Sequence, residues 1–176
     1  MIRKAEARDL AAVDCLYQEI HDAEETGMIT TGWIRGIYPV KATATAALER
    51  DDLFVLEEDG RILGSGMINR LQADAYEGAP WKCQVPDDQV CVLHTLAISP
   101  AAQGKGYGRE FIRFYEAYAR HHGCTELRID TNERNLAARA MYSKYGYQEI
   151  DIVPTTFNGI AGVNLVLLEK QIRDER

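Results

Sequence analysis

Residues Gln103 to Arg109 read QGKGYGR, with glycines at 104, 106 and 108. Residues without a Cβ permit positive φ, so successive backbone N–H groups can converge on one concavity where a helix begins. An anion suits that concavity, most naturally a phosphate. Two phosphate motifs are excluded by spacing: a dinucleotide fingerprint needs GxGxxG where this chain has GxGxG, and a P-loop needs Ser or Thr after Gly-Lys, where Gly106 follows Lys105. A second group of chemically able residues lies in DTNERNLAARAMYSKYGY, Asp130 to Tyr147. Asn135 and Tyr142 are seven apart, nearly two helical turns, so an amide and a phenol project from about one face, with Asn132 three residues before. His94 sits inside an apolar run. With a reference pKa near ~6.5 it could accept a proton near neutrality, although a histidine in a strand also serves simply as a satisfied core residue.

Gln103, Gly106 and Gly108 fit the pattern Q/R-x-x-G-x-G/A after a buried strand, and Asn135, Ala138, Tyr142, Gly146 and Tyr147 fit N-x-x-A-x-x-x-Y with a short Gly-aromatic ending. In this order and spacing the two halves resemble the paired motifs of the GNAT superfamily of N-acetyltransferases. The resemblance is carried by Val90 to Tyr147. It implies a GNAT-like acyl-CoA N-acyltransferase fold of the α/β class: a central mixed, mostly antiparallel sheet flanked by helices, in a single domain over residues 1–176. It further implies that the strand 92–98 splays from the strand 124–130 and admits an acetyl-pantetheine arm. Backbone groups of Leu96, Ala97 and Ile98 would then pair with the pantetheine amides. The N–H groups of Gln103, Gly104, Lys105, Gly106, Tyr107, Gly108 and Arg109 would hold the pyrophosphate, and Asn132 and Asn135 would complete the cofactor site with Tyr142.

The side chains of Lys105 and Arg109 either meet phosphates or form a solvated helix start. Transfer to an amine needs a proton acceptor, a donor to the developing oxyanion and an acid at the departing thiolate. By the same resemblance Tyr142 is the general acid, the alternative being a core tyrosine, and a backbone N–H of Leu96 or Ala97 is the oxyanion donor. His94, preceding a Leu-Ala-aliphatic run as in the arylalkylamine branch, is the candidate base, and a carboxylate acting through water is the other route. Asp130 and Glu133 are expected to cap the second helix. The implied activity is direct transfer of the acetyl group of acetyl-CoA to a primary amine of a small molecule. An acyl-CoA sensor and a protein- or peptide-directed acetyltransferase are the competing readings; Tyr142 and His94 together favour catalysis over sensing.

These residues need elements to hold them. Val90, Val92, Leu93, Leu96, Ala97 and Ile98 form a run that reads as a strand buried on both faces, closed by Ser99-Pro100. Phe111, Ile112, Phe114, Tyr115 and Tyr118 then recur at helical spacing from Tyr107 onward. Cys124 to Asp130 reads as a strand, and Glu133 to Tyr145 as a helix ended by Gly146 at C′. Upstream, Met1 to Ala5 is a strand, and a helix capped by Asp9 carries Leu10, Val13, Leu16, Tyr17 and Ile20. Lys41 to Arg50 is a short helix, and Asp59-Gly60 turns a hairpin of 53–58 and 61–69. Tyr147 to Phe157 and Val163 to Glu169 pair around Asn158-Gly159. The irregular segment Met28 to Val40, rich in Trp33, Ile34, Ile37 and Tyr38, is either a lid over the core or a wall of the acceptor pocket. His21, Glu24, Trp33 and Tyr38 are expected on one side of that pocket and Tyr76 or Trp81, from the long loop 70–89, on the other. Glu24 or Glu25 would hold the acceptor's ammonium.

Composition bounds the partners. The 176 residues carry 27 acidic and 20 basic side chains, a formal net charge of −7. Without a basic face, nucleic acid is excluded as a partner and a small cationic or neutral substrate is favoured. Cys15, Cys83, Cys91 and Cys124 show no metal-ligand spacing, so reduced, mostly buried thiols and no metal are expected. No run reaches the ~18 apolar residues of a membrane span and MIRKAEARD lacks a signal-peptide core, which points to a cytoplasmic protein without membrane attachment. Edge strands after Tyr147 could pair between chains and give a homodimer.

Overall fold

The computed structural model describes residues 1–172; residues 173–176, the end of the expected domain span, lie outside the described residues. Strands β1 (Ile2–Lys4), β2 (Leu53–Glu58), β3 (Arg61–Asn69), β4 (Val90–Ile98), β5 (Glu126–Asn132), β6 (Gln148–Phe157) and β7 (Ile160–Gln171) make one seven-stranded sheet in the order β1-β2-β3-β4-β5-β7-β6. Every neighbouring pair is antiparallel except β4 and β5. This is the mixed, mostly antiparallel sheet that the motifs imply.

Alternation along the strands assigns the helices to faces. Leu53, Val55 and Met67 meet Val13, Leu16, Tyr17 and Ile20 of α1 (Leu10–Glu25) and Ala44 and Ala47 of α2 (Lys41–Glu49). Phe54, Leu56 and Ile68, one residue out of phase, meet Phe111, Ile112 and Tyr115 of α3 (Tyr107–His121). A third cluster forms where the loop 70–89 lays Tyr76 and Trp81 over Val90, Val92, Leu165 and Leu167. At the Asp59-Gly60 turn both residues have positive φ, as expected for a tight hairpin.

Three local expectations are corrected. Asp9 does not cap α1 with its side chain: a 3-10 turn, Ala7–Asp9, comes first, and the Asp9 carboxylate takes the Glu6 N–H at 2.8 Å and two Arg3 nitrogens at 2.7 and 3.0 Å. The strand expected at 124–130 runs two residues later, and the helix after it, α4, is shorter, Leu136–Lys144. Asn135 is its N-cap, its Oδ1 accepting from the Ala138 N–H at 3.1 Å, whereas Glu133 accepts from Asn164 Nδ2 at 2.6 Å and Asp130 caps nothing. At the other end Gly146 does occupy C′. The Tyr147 N–H returns to the Tyr142 carbonyl at 3.1 Å and the Gly146 N–H to Ser143 at 3.0 Å, with the two tyrosine rings edge to face at 6.0 Å. This closure holds Tyr142 in place.

Cys91 and Cys124 are buried, Cys83 is half-buried and Cys15 is exposed, so only half of the thiols lie inside. Strand β6 is an open edge but carries Pro154 and two register shifts, features that oppose pairing with another chain. Among the described residues, no helix is long and apolar enough to cross a membrane, and no three His, Cys, Asp or Glu side chains are grouped to hold a metal ion.

Candidate active site

The parallel ladder between β4 and β5 begins at Val90 with Glu126 and stops at Leu93 with Ile129. Past it β4 stays with β3 but gains a residue: Met67 faces His94 and Ser65 faces Ala97, so Thr95 and Leu96 together oppose Gly66. Such a bulge sharpens the local twist and turns the end of β4 away from β5. Thr95 takes the left-handed conformation, φ 50°, and its hydroxyl is tied to that of Tyr38. A non-glycine residue costs about 1–3 kcal/mol in such a conformation, so its surroundings must hold it there. The β4 edge at 96–98 is thereby left facing a cavity of about 1120 Å³ instead of a strand.

The glycine turn opens the same cavity. Gln103 N–H returns to Pro100 at 3.3 Å and Glu110 N–H to Gly106 at 3.0 Å; between them, among the described residues, the N–H groups of 104–109 have no acceptor within the chain. Gly104 and Gly106 hold φ at 79° and 87°, which a side chain would strain. Gly108 has a different task from the one its spacing suggested. A Cβ there would lie 2.9 Å from Met141 Sδ, so this glycine lets α3 pass close against α4.

Leu96, Ala97, Ile98, Gln103, Gly104, Gly106, Tyr107, Gly108, Arg109, Asn132, Asn135, Tyr142 and His94 all line this one cavity, whereas Lys105 does not. The two asparagines are partly engaged by the chain itself: Asn132 Oδ1 accepts from the Arg134 N–H at 3.0 Å, and Asn135 Oδ1 is the helix cap, leaving their NH2 groups for a ligand. Tyr142 is buried at 5% exposure with no hydrogen-bond partner for its hydroxyl among the described residues. Burial and the nearby Asp130 carboxylate push its pKa well above that of a free phenol, so it stays protonated.

His94 departs from expectation. Its Nε2 lies 2.9 Å from Asn69 Oδ1, which also accepts from the Leu71 N–H at 2.9 Å, while Asn69 Nδ2 donates to Asp52 at 2.9 Å. The amide oxygen therefore faces the ring, Nε2 carries the proton, and Nδ1 keeps the lone pair. Burial pushes the imidazole down to about 4 against the pull of Asp52, so it does not titrate near neutrality. The group that approaches neutrality is Asp130, in the cavity wall at the end of β5: burial raises it to about 6, opposed by the Tyr76 hydroxyl donating at 2.7 Å. Sequence reasoning treated Asp130 as a cap. The available signal was its place at the C-terminal end of one of two parallel strands, where ligand crevices form.

The acceptor side is likewise rearranged. Trp33 and Tyr38 line the cavity, but His21, Glu24, Tyr76 and Trp81 do not. His21 is buried with Nε2 2.9 Å from the Pro39 carbonyl, and Glu25 pairs with Arg35 at 2.8 Å. Glu24 binds the Thr31 hydroxyl at 2.8 Å and the Gly32 N–H at 3.2 Å. Tyr76 stands behind Asp130, and Trp81 covers the Arg128 guanidinium at 3.9 Å. In their place Phe157, Ile160 and Val163 of the last hairpin and Leu71, Gln72 and Ala73 after β3 form the wall. Residues 28–33 and Tyr38 complete the lining as a strap, with 34–37 outside it. At Gly32, φ 79°, a Cβ would sit 2.3 Å from Asn132 Nδ2, so the strap reaches the end of β5. A Gly32→Ala exchange is therefore expected to displace the strap, at a cost of about 1–3 kcal/mol for the left-handed conformation alone. Thermal melts of the variant beside the parent check that cost.

The mixed seven-stranded sheet flanked by helices, split beside the glycine turn, is the fold of solved GNAT acetyltransferases. Residues 16–147 match the acetyltransferase (GNAT) family, and the chain belongs to that family. It is 25% identical over 150 residues to the uncharacterised N-acetyltransferase YhfO of Bacillus subtilis, covering 84% of this chain and 89% of that protein. A GNAT-family acetyltransferase of Streptococcus agalactiae superposes with a TM-score of 0.79 at 22% identity, over 99% of this chain and 96% of that one. YncA of Salmonella typhimurium, solved with its cofactor acetyl-CoA, superposes with a TM-score of 0.69 at 20% identity, over 99% and 95%.

Proposed function

We propose that this protein transfers the acetyl group of acetyl-CoA directly to a primary amine of a small molecule. The observation that carries this reading is the unpaired β4 edge at 96–98, which continues through one cavity to the free amides of 104–109 at one end and to Tyr142 and Asp130 at the other. Acetyl-CoA fits these residues. Free N–H groups at a helix start suit the pyrophosphate, with Arg109 beside them, and an unpaired strand edge suits the amides of the pantetheine arm. The YncA structure, with acetyl-CoA in a similar fold, supports the choice of cosubstrate.

When bound, acetyl-CoA supplies an activated thioester carbonyl. Leu96, without a register partner on β3, offers a backbone N–H to the developing oxyanion. The Asp130 carboxylate, oriented by Tyr76, takes the amine proton, and Tyr142 gives its proton to the departing sulfur. His94 is a weaker base than Asp130 by its depressed pKa, and it serves to hold Asn69 and the start of the loop 70–89. The strap meets Asn132 at the end of β5 and narrows the cavity there, which favours a small acceptor over a protein chain. A sensor would need only the glycine turn and the strand edge.

Release of free thiol from acetyl-CoA across a panel of amines tests the reading. Turnover with at least one small amine is expected. Binding of acetyl-CoA without turnover would favour a sensor, and no binding would overturn the cosubstrate itself. Gly106→Ala, which forces a Cβ into φ 87°, should weaken acetyl-CoA binding by about tenfold in calorimetry, an effect of about 1.4 kcal/mol.

A further inference from the structure

The charges lining the cavity are segregated. Three cationic side chains line it, Arg109, Arg134 and Lys144, and all three belong to α3, α4 or the turn before α4, the half that faces the cosubstrate. The other half is built from the strap, residues 71–73, the ends of β4 and β5, and the last hairpin. Among the described residues, the ionisable groups there are Tyr38, His94 and Asp130. Burial raises Tyr38 to about 12 and lowers His94 to about 4, so among the described residues lining that half Asp130 carries the charge, with Arg50 and Asp52 behind the wall. The remaining wall is apolar or uncharged, with Trp33, Phe157, Ile160 and Val163, and Met28 and Leu71 exposed at its rim.

From this we infer the acceptor's class, resting on the acetyl-transfer reading above: a cationic primary amine with an aromatic or aliphatic body and no carboxylate or phosphate near the nitrogen. An ammonium entering this half is attracted by Asp130 and can surrender its proton to it. A carboxylate on the adjacent carbon would be carried to within a few ångströms of Asp130, with no lysine or arginine lining that half to compensate it. In a partly desolvated site such a like-charge contact is strongly unfavourable. Trp33, Phe157, Ile160 and Val163 then reward a hydrophobic body on that amine.

Three acceptors of one shape separate the charge from the body: phenethylamine, phenylalaninamide and phenylalanine, each assayed at saturating acetyl-CoA with calorimetric confirmation that acetyl-CoA binds. The first two should give kcat/KM values within about tenfold of each other, and phenylalanine a value at least about 100-fold lower. Leu71→Arg, at a rim position that is 56% exposed, places a cation in the acceptor half and should shrink that gap several-fold. Phenylalanine used as well as phenethylamine, silence on all three with acetyl-CoA bound, or turnover confined to long peptides would each overturn the inference. Failure of acetyl-CoA to bind would instead remove the acetyl-transfer reading, and this inference with it.

Discussion

Tyr142→Phe should lower kcat by about 10²- to 10³-fold, within the range expected of a positioned general acid, with little change in the KM for acetyl-CoA or in the melting temperature. The selectivity of that effect follows from the side chain's surroundings. The ring is buried and packs edge to face on Tyr147, and phenylalanine keeps both features. The hydroxyl has no hydrogen bond within the described residues, so its removal orphans no buried partner and creates no cavity larger than an oxygen atom. What disappears is a proton held at high affinity, because burial and Asp130 keep the phenol protonated across the working pH range. Stopped assays over a pH series provide the check; turnover equal to the parent at every pH would remove Tyr142 from the chemistry.

Asp130→Asn should reduce kcat/KM by about 10²- to 10⁴-fold and abolish a rise in rate centred near pH 6. The direction is set by the carboxylate's role: it must be ionised to accept a proton, so activity grows as pH climbs through its folded pKa. His94→Gln should leave that rise in place, because its imidazole titrates near 4. Stability moves the other way. The folded pKa of Asp130 lies above the ordinary carboxylate value, so between about 4 and 6 the folded chain binds more protons than the unfolded one, and its stability falls as pH rises through that window. Removing the charge should therefore leave the Asn variant at least as stable as the parent at pH 7, with the advantage vanishing below pH 4. Thermal melts at the two pH values separate a lost base from a damaged fold.

What could be read in the sequence was what depends on neighbours in sequence. Gly104 and Gly106 announce a turn with positive φ, Gly146 announces a helix end, and the apolar run at 90–98 announces a buried strand, all within a few residues. Tyr142 was visible because its spacing from Asn135 and Gly146 fixes it on a short helix. Asp130 was hidden: its environment is made by the end of a ladder with β4 and by Tyr76, which arrives from a loop far earlier in the chain. The purpose of Gly108 was hidden for a similar reason, since Met141 lies on another helix. Of the aromatic residues expected on the acceptor wall, Trp33 and Tyr38 line the cavity, whereas packing draws Tyr76 and Trp81 beneath the loop over Val90 and Val92. Glu24 illustrates the remaining gap. A carboxylate in the last turn of a helix reads as a free charge until Thr31 and the Gly32 N–H are seen to donate to it.

The interrupted ladder also bears on how the molecule holds together. Within the sheet, β1–β4 meet β5–β7–β6 along the four register pairs from Val90–Glu126 to Leu93–Ile129. Beyond that seam the edge of β4 at 96–98 faces the cavity, and an unpaired strand edge is a surface on which an extended molecule bearing amides could pair as a further strand would. A ligand paired along that edge would bridge the two halves of the sheet, so its binding would be expected to raise the stability of the whole fold as well as occupy the cavity.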